Sequence, residues 1–143
     1  MDDCLFCQIA GGQRSAAVVL ADEYCMAFLD YRPLFPGHSL LIPKRHIETL
    51  ADLPCQGIKP LFAAAQLLAQ AMEPALGAEG SFVAINNRIS QSVPHLHVHV
   101  VPRRKKDGLK GFFWPRGKYT DAREMERVRA AIEESVRALQ GKN

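Results

Sequence analysis

Between residues 95 and 100 the chain alternates, with His95, His97 and His99 separated by Leu96, Val98 and Val100. A period of two is that of a β-strand, whose successive side chains take opposite faces. The pattern predicts a strand over residues 94–102, with three imidazoles on one side and three aliphatic residues entering a core on the other. Short apolar runs at 18–20, 25–29, 39–42 and 81–85 read as further strands. Asp22-Glu23 forms the turn between the first two, and Pro43 closes the third, so this region reads as an antiparallel meander. A loop over 31–38 is held by Pro33, Pro36 and Gly37.

Helical spacing appears in three places. Residues 4–10 suggest one short turn, stopped by Gly11-Gly12. Leu53-Pro54 can start a helix, and from 58 to 76 Leu61, Ala65, Leu68, Met72 and Leu76 recur on one face, with Pro60 better suited to a first turn than to the interior and Gly77 as the stop. From Asp121 onward, Met125, Val128, Ile132, Val136 and Leu139 form a stripe with dense charge between them. Thr120 or Asp121 caps this helix, and Glu124 can close a capping box from Asp121. The sum is an α+β domain: an antiparallel sheet with flanking helices and a C-terminal helical extension.

Composition narrows the class. A chain of 143 residues, 48% hydrophobic and 23% charged, is expected to form one soluble domain. No apolar run approaches a membrane span, and the N-terminus does not read as a signal peptide, so a cytoplasmic protein is expected. The net charge of +3 is uneven, because residues 103–118 hold seven basic residues against Asp107 alone. Such a segment either attracts phosphates to one edge or is a solvated loop.

Three imidazoles on one small patch are costly if they charge together. A site needing a nucleophile, a proton donor or a metal ligand accounts for them better than chance. Cys4-x-x-Cys7 reads as a metal half-site or a redox pair. Cys25 and Cys55 read as ordinary semi-buried thiols.

The run His95-Leu96-His97-Val98-His99-Val100-Val101 resembles the signature of the histidine-triad nucleotide hydrolases. Asp30, Pro36-Gly37-His38, Leu41-Ile42-Pro43-Lys44-Arg45-His46, Asn86-Asn87 and Gln91-Ser92 fall in that family's order. Cys4-x-x-Cys7 is similar to its zinc-containing branch. The resemblance covers about residues 4–104 of a single domain spanning 1–143, with a basic, aromatic loop over 105–120 and a helix over 121–140.

The resemblance implies cleavage at the α-phosphate of a purine nucleotide, with His97 forming a covalent nucleotidyl-histidine. The substrate would be a dinucleoside polyphosphate or a nucleoside phosphoramidate. By the same likeness His99 assists the nucleophile and His38 contacts phosphate or leaving group. Asn86, Gln91 and Ser92 offer donors to phosphate oxygens. Asp30 would accept the ribose hydroxyls, with turn capping as the plain alternative. Phe6, Ile9, Phe28 and Leu29 would line a base pocket or simply be core. Cys4, Cys7, His46 and His95 would hold one structural zinc per chain as a closed Cys2His2 set. Otherwise the thiols are free and His46 serves a loop. A homodimer is implied.

The stretch Asn86-Asn87-Arg88-Ile89-Ser90-Gln91 departs from the family's turn: it is shorter and lacks the glycines. Arg88 either reaches the phosphate chain or faces solvent. Phe112-Phe113-Trp114 either covers the site mouth or packs across a dimer or on the last helix. Two other function classes remain. One removes adenylate from DNA ends, suggested by the basic stretch but disfavoured by the net acidic remainder. The other binds nucleotides without chemistry, which the intact His97, His38 and Ser92 disfavour.

Overall fold

A computed structural model describes residues 3–109 and 116–142. Phe112-Phe113-Trp114, and the expectation attached to them, lie outside the described residues. The chain divides into one compact unit ending at Asp107 and a second beginning at Gly108.

The first unit contains α1 (Leu5–Ala10), β1 (Val18–Ala21), β2 (Cys25–Leu29), β3 (Ser39–Pro43), α2 (Cys55–Leu76), β4 (Gly80–Ile85) and β5 (Val98–Arg103). The strands form one antiparallel sheet in the order β1-β2-β3-β5-β4. The expected meander is its first half; α2 then carries the chain over to β4.

Alternation along the strands builds two cores. Cys25, Ala27, Leu41, Val98 and Val100 join Leu61, Ala65, Leu68 and Met72 of α2 on one face. Phe28, Leu40 and Ile42 meet Phe6 and Ile9 of α1 on the other. Each aliphatic side chain fully buried there contributes about 1.5–3 kcal/mol. Cys25 is fully buried and Cys55 is exposed, so neither is the half-buried thiol expected.

The triad strand is shorter than its alternation suggests. The ladder pairs Leu41 with Val98 and Leu40 with His99. Continued outward, that register would set Leu96 against Pro43, which has no N–H to give. Leu96 donates instead to the Ile47 carbonyl at 2.6 Å, and β5 begins at Val98. The side chains still alternate: Leu96 enters the α2-side core, while Phe6 of α1 touches the His95 and His97 rings.

Helix α2 starts at Cys55 with Pro54 as its N-cap, as the Leu53-Pro54 start suggests, and this places Pro60 in its second turn. Gly57 is needed there, because a Cβ would lie 2.0 Å from the Tyr24 hydroxyl. Gly77 ends the helix at φ 64°, in the left-handed region that glycine tolerates.

The second unit contains α3 (Ala122–Gln140). Asp121 Oδ1 caps it by accepting the Glu124 N–H at 2.8 Å. The Glu124 carboxylate accepts from the Thr120 N–H, one residue before the position a capping box would use. Among the described residues, no helix is long and apolar enough to cross a membrane.

Candidate active site and metal cluster

The segment entering β5 brings all five histidines together, with ring centroids 5.1 Å apart for His46 and His95, 5.0 Å for His97 and His99 and 5.2 Å for His38 and His99. His97 Nδ1 lies 2.7 Å from the His95 carbonyl oxygen. A carbonyl only accepts, so Nδ1 carries the proton and Nε2 keeps its lone pair. No buried side-chain nitrogen among the described residues lacks a partner, so this Nε2 reaches accessible space.

His38 and His99 form a second pair with defined tautomers. The Leu34 N–H donates to His38 Nδ1 at 3.1 Å, which puts the neutral ring's proton on Nε2. That Nε2–H donates to His99 Nδ1 at 2.9 Å, leaving a proton on His99 Nε2. The His97 and His99 rings are 5.0 Å apart. One ring thus offers a lone pair, and its neighbour offers a donor.

Asp30 Oδ2 lies 3.9 Å from His38 Nε2, while Oδ1 accepts the Arg32 N–H at 2.9 Å. The carboxylate caps its turn and faces the histidine pair at once. Burial chiefly pulls His38 below its usual value, against the pull of Asp30. Burial, then the like charges of His97 and His38, lower His99 to about 4. The folded chain therefore binds fewer protons than the unfolded chain between pH 4 and the ordinary 6.5. Stability from this source is complete above that ordinary value and falls as pH drops toward 4. Urea unfolding at pH 7.5 and 4.5 is expected to show this loss, and His99→Gln to diminish it. An undiminished loss in the variant would exclude His99 as its source.

The remaining expected site residues separate into groups. Asn86, half-buried at the end of β4, makes no side-chain hydrogen bond among the described residues. Asn87 Oδ1 accepts the Leu50 N–H at 2.8 Å and so braces the loop. Gln91 accepts the Arg88 N–H at 2.7 Å and donates to the Glu48 carbonyl at 2.6 Å, which leaves one amide hydrogen for a ligand. Ser92 is exposed and lines a depression with Cys4 and His46. Phe6, Ile9 and Phe28 lie inside the α1-side core, while Leu29 is 39% exposed.

Arg88 and Ser90 both hold positive φ, 66° and 59°, where most side chains are disfavoured. The braces from Asn87 and Gln91 hold this glycine-free turn. Sequence reasoning missed those braces, and it missed the Leu34 amide and Pro43 carbonyl, because they become partners only once the chain folds.

Cys4, Cys7, His46 and His95 converge with their donor atoms all within 4.8 Å of one another. Bonds of about 2.3 Å to sulfur and about 2.0 Å to nitrogen, at tetrahedral angles, put neighbouring S and N atoms about 3.5 Å apart. The observed separations are 3.5 Å for Cys4 Sγ to His95 Nδ1, 3.3 Å for Cys7 Sγ to His46 Nδ1 and 3.6 Å for Cys7 Sγ to His95 Nδ1. His95 Nε2 donates to the Pro43 carbonyl at 2.8 Å, fixing the tautomer that turns Nδ1 toward the cluster. Without a cation, burial and then the Cys4 thiol push Cys7 up to about 11. The set is able to coordinate a metal.

The basic segment is less free than its charge suggests. Arg103 holds Asp107 at 2.5 Å, Arg104 donates to the Leu76 carbonyl, and Lys105 lies 4.0 Å from Glu79. These contacts brace the end of β5 within the first unit.

Fold and site together define a histidine-triad hydrolase or transferase. The chain belongs to the HIT domain family, whose model matches residues 12–106. It is 34% identical over 110 residues to an adenylylsulfatase, HINT3, of Arabidopsis thaliana, covering 76% of this chain and 56% of that relative. It is also similar to the crystal structure of SMU.412c from Streptococcus mutans (TM-score 0.87, 33% identity, 95% of this chain and 87% of that one). A zinc-bound histidine triad protein from Mycobacterium smegmatis matches at TM-score 0.72 and 35% identity, over 96% of this chain and 98% of that one.

Proposed function

We propose that the protein cleaves purine nucleotide substrates at the α-phosphate through a covalent nucleotidyl-histidine on His97. The observation that carries this is the 2.7 Å bond from Nδ1 to the His95 carbonyl, which leaves the basic lone pair on Nε2. That lone pair attacks the α-phosphorus. A P–N bond forms, and the bond to the leaving group breaks with its electron pair. Water or another acceptor then displaces the histidine, releasing the nucleotide and restoring the lone pair. His99 Nε2–H is a fixed donor for a phosphate oxygen or the departing atom. Asn86, Ser92 and the remaining Gln91 hydrogen serve the other phosphate oxygens, and Asp30 accepts the ribose hydroxyls. The base rests against Leu29 at the rim of the Phe6, Ile9 and Phe28 cluster.

The leaving group is an amine, a phosphate chain or sulfate, the last in keeping with the adenylylsulfatase relative. The same reading makes the metal a single structural zinc, since Cys2His2 leaves no open position for substrate. It also makes the single domain over 1–143 a cytoplasmic homodimer. Ile58 and Phe62 on α2 and Val83 on the open edge β4 are each over 40% exposed, which suits burial against a second copy. Sedimentation that shows only monomer at tens of micromolar would remove this last element. A DNA-end substrate is less well supported, because the Arg103 and Arg104 side chains of the basic segment already brace the fold.

The deciding experiment offers adenosine phosphoramidate, adenylyl sulfate, diadenosine polyphosphates and adenylylated DNA, then quenches in alkali, where a phosphoramidate bond survives. At least one small nucleotide is expected to leave its nucleotidyl group on His97. Rapid turnover with no adduct, or an adduct on another residue, would overturn the proposal.

A further inference from the structure

We infer that Phe6 is a positioning residue for His97, and that the Cys4, Cys7, His46 and His95 cluster, once it holds a metal, keeps Phe6 in place. The inference rests on the reading of His97 as the nucleophile. Phe6 packs edge-on against three rings, with centroids 5.2 Å from His97, 5.9 Å from His95 and 5.4 Å from Phe28. Its plane stands at 83° to that of His97, so a rigid wall abuts the imidazole. The Nδ1–H bond to the His95 carbonyl fixes one edge of that ring. Phe6 limits its swing about the other axis. Attack on phosphorus demands such alignment, and small misplacement is costly.

Phe6 is itself held from both sides. It lies between Cys4 and Cys7, whose sulfur atoms face the metal cluster. Helix α1 has only six residues, far below the length at which an isolated helix persists. Cys4 is its N-cap residue but makes no side-chain cap bond, so its sulfur is turned to the cluster rather than to the helix. Besides the packing of Phe6 and Ile9, with Leu5 and Ala10 against the same core, the two sulfur ligands anchor the helix. Phe6 is 4% exposed, which leaves little ring face for a nucleotide base. The nucleophile's ring is thus what it chiefly controls.

The test compares zinc-loaded wild type with Phe6→Leu, and with Phe6→Met should the first fail to fold. The expected result is a fall in kcat of about 10–100-fold, as for loss of a partner that orients a site ligand. KM and the ratio of adenine to guanine substrates stay unchanged. In 15N spectra of histidine-labelled protein, wild-type His97 shows a single Nδ1–H tautomer, and the variant shows an averaged or broadened signal. Wild type stripped of metal by EDTA shows the same averaging. A retained kcat with a shifted KM or base ratio would make Phe6 a base-pocket residue and end the inference. A single tautomer with unchanged kcat after metal removal would end the link to the cluster. An absent nucleotidyl adduct in wild type would instead overturn the function itself. An adduct formed at equal rates in wild type and Phe6→Leu would overturn only the role of Phe6.

Discussion

His97→Ala is expected to lower nucleotide release by about 10⁴–10⁶-fold, the scale seen when a covalent enzyme loses its nucleophile. The size of the effect follows from the lack of a substitute. His95 turns Nδ1 to the cysteine sulfurs and gives its Nε2 proton to Pro43, so neither nitrogen is free. His99 presents Nε2 with a proton, because its Nδ1 accepts from His38. His38 accepts the Leu34 amide at one nitrogen and donates from the other. His46 Nδ1 faces Cys7. Of the rings of His38, His95, His97 and His99, only that of His97 turns an uncommitted lone pair toward accessible space. His99→Asn should cost less, about 10²–10³-fold, because it removes a donor and leaves the attacking atom. Single-turnover kinetics on the best substrate of the panel, with calorimetry to confirm folding, checks both. Turnover by His97→Ala within tenfold of wild type would end the covalent mechanism.

Much of this arrangement was legible in one dimension, because it depends on periods and residue types. Strand β2 could be read at its observed bounds, since five apolar residues lie between a turn and Asp30. The alternation around His97 correctly separates Leu96, Val98 and Val100 from the imidazoles. Where the ladder stops was not legible, because it depends on Pro43 facing Leu96 across a register that only folding sets. The four cluster residues are conspicuous by type, yet Cys7 and His95 are 88 positions apart, and no spacing rule joins them. The tautomers are the least legible feature. They are set by the Leu34 amide and the carbonyls of Pro43 and His95, which every sequence possesses. The basic segment misleads for a similar reason. Its charges are visible, but Glu79 and the Leu76 carbonyl arrive from another part of the chain.

Removing the metal is expected to lower Tm by roughly 10–20 °C, an effect distinct from the alignment of His97. At a free zinc concentration about 1,000 times the Kd, binding to the folded state alone stabilises it by about 4 kcal/mol. For a chain of this size that corresponds to the stated shift. The cluster ties α1, the His46 segment and the entry to β5 into one unit. The core between the sheet and α2 contains none of the four cluster residues, so the apoprotein is expected to fold but to melt earlier. Loosening should begin at α1, whose six residues hold few anchors of their own. Amide exchange in α1 should therefore accelerate well before β3 or β5 is affected. Calorimetry before and after EDTA, with zinc restored as control, reads the shift, and metal analysis should return one zinc per chain. Cys4→Ser should melt near the stripped protein and gain little from added zinc. If wild type shown to be metal-free melts where the loaded protein does, the four side chains hold no structural ion.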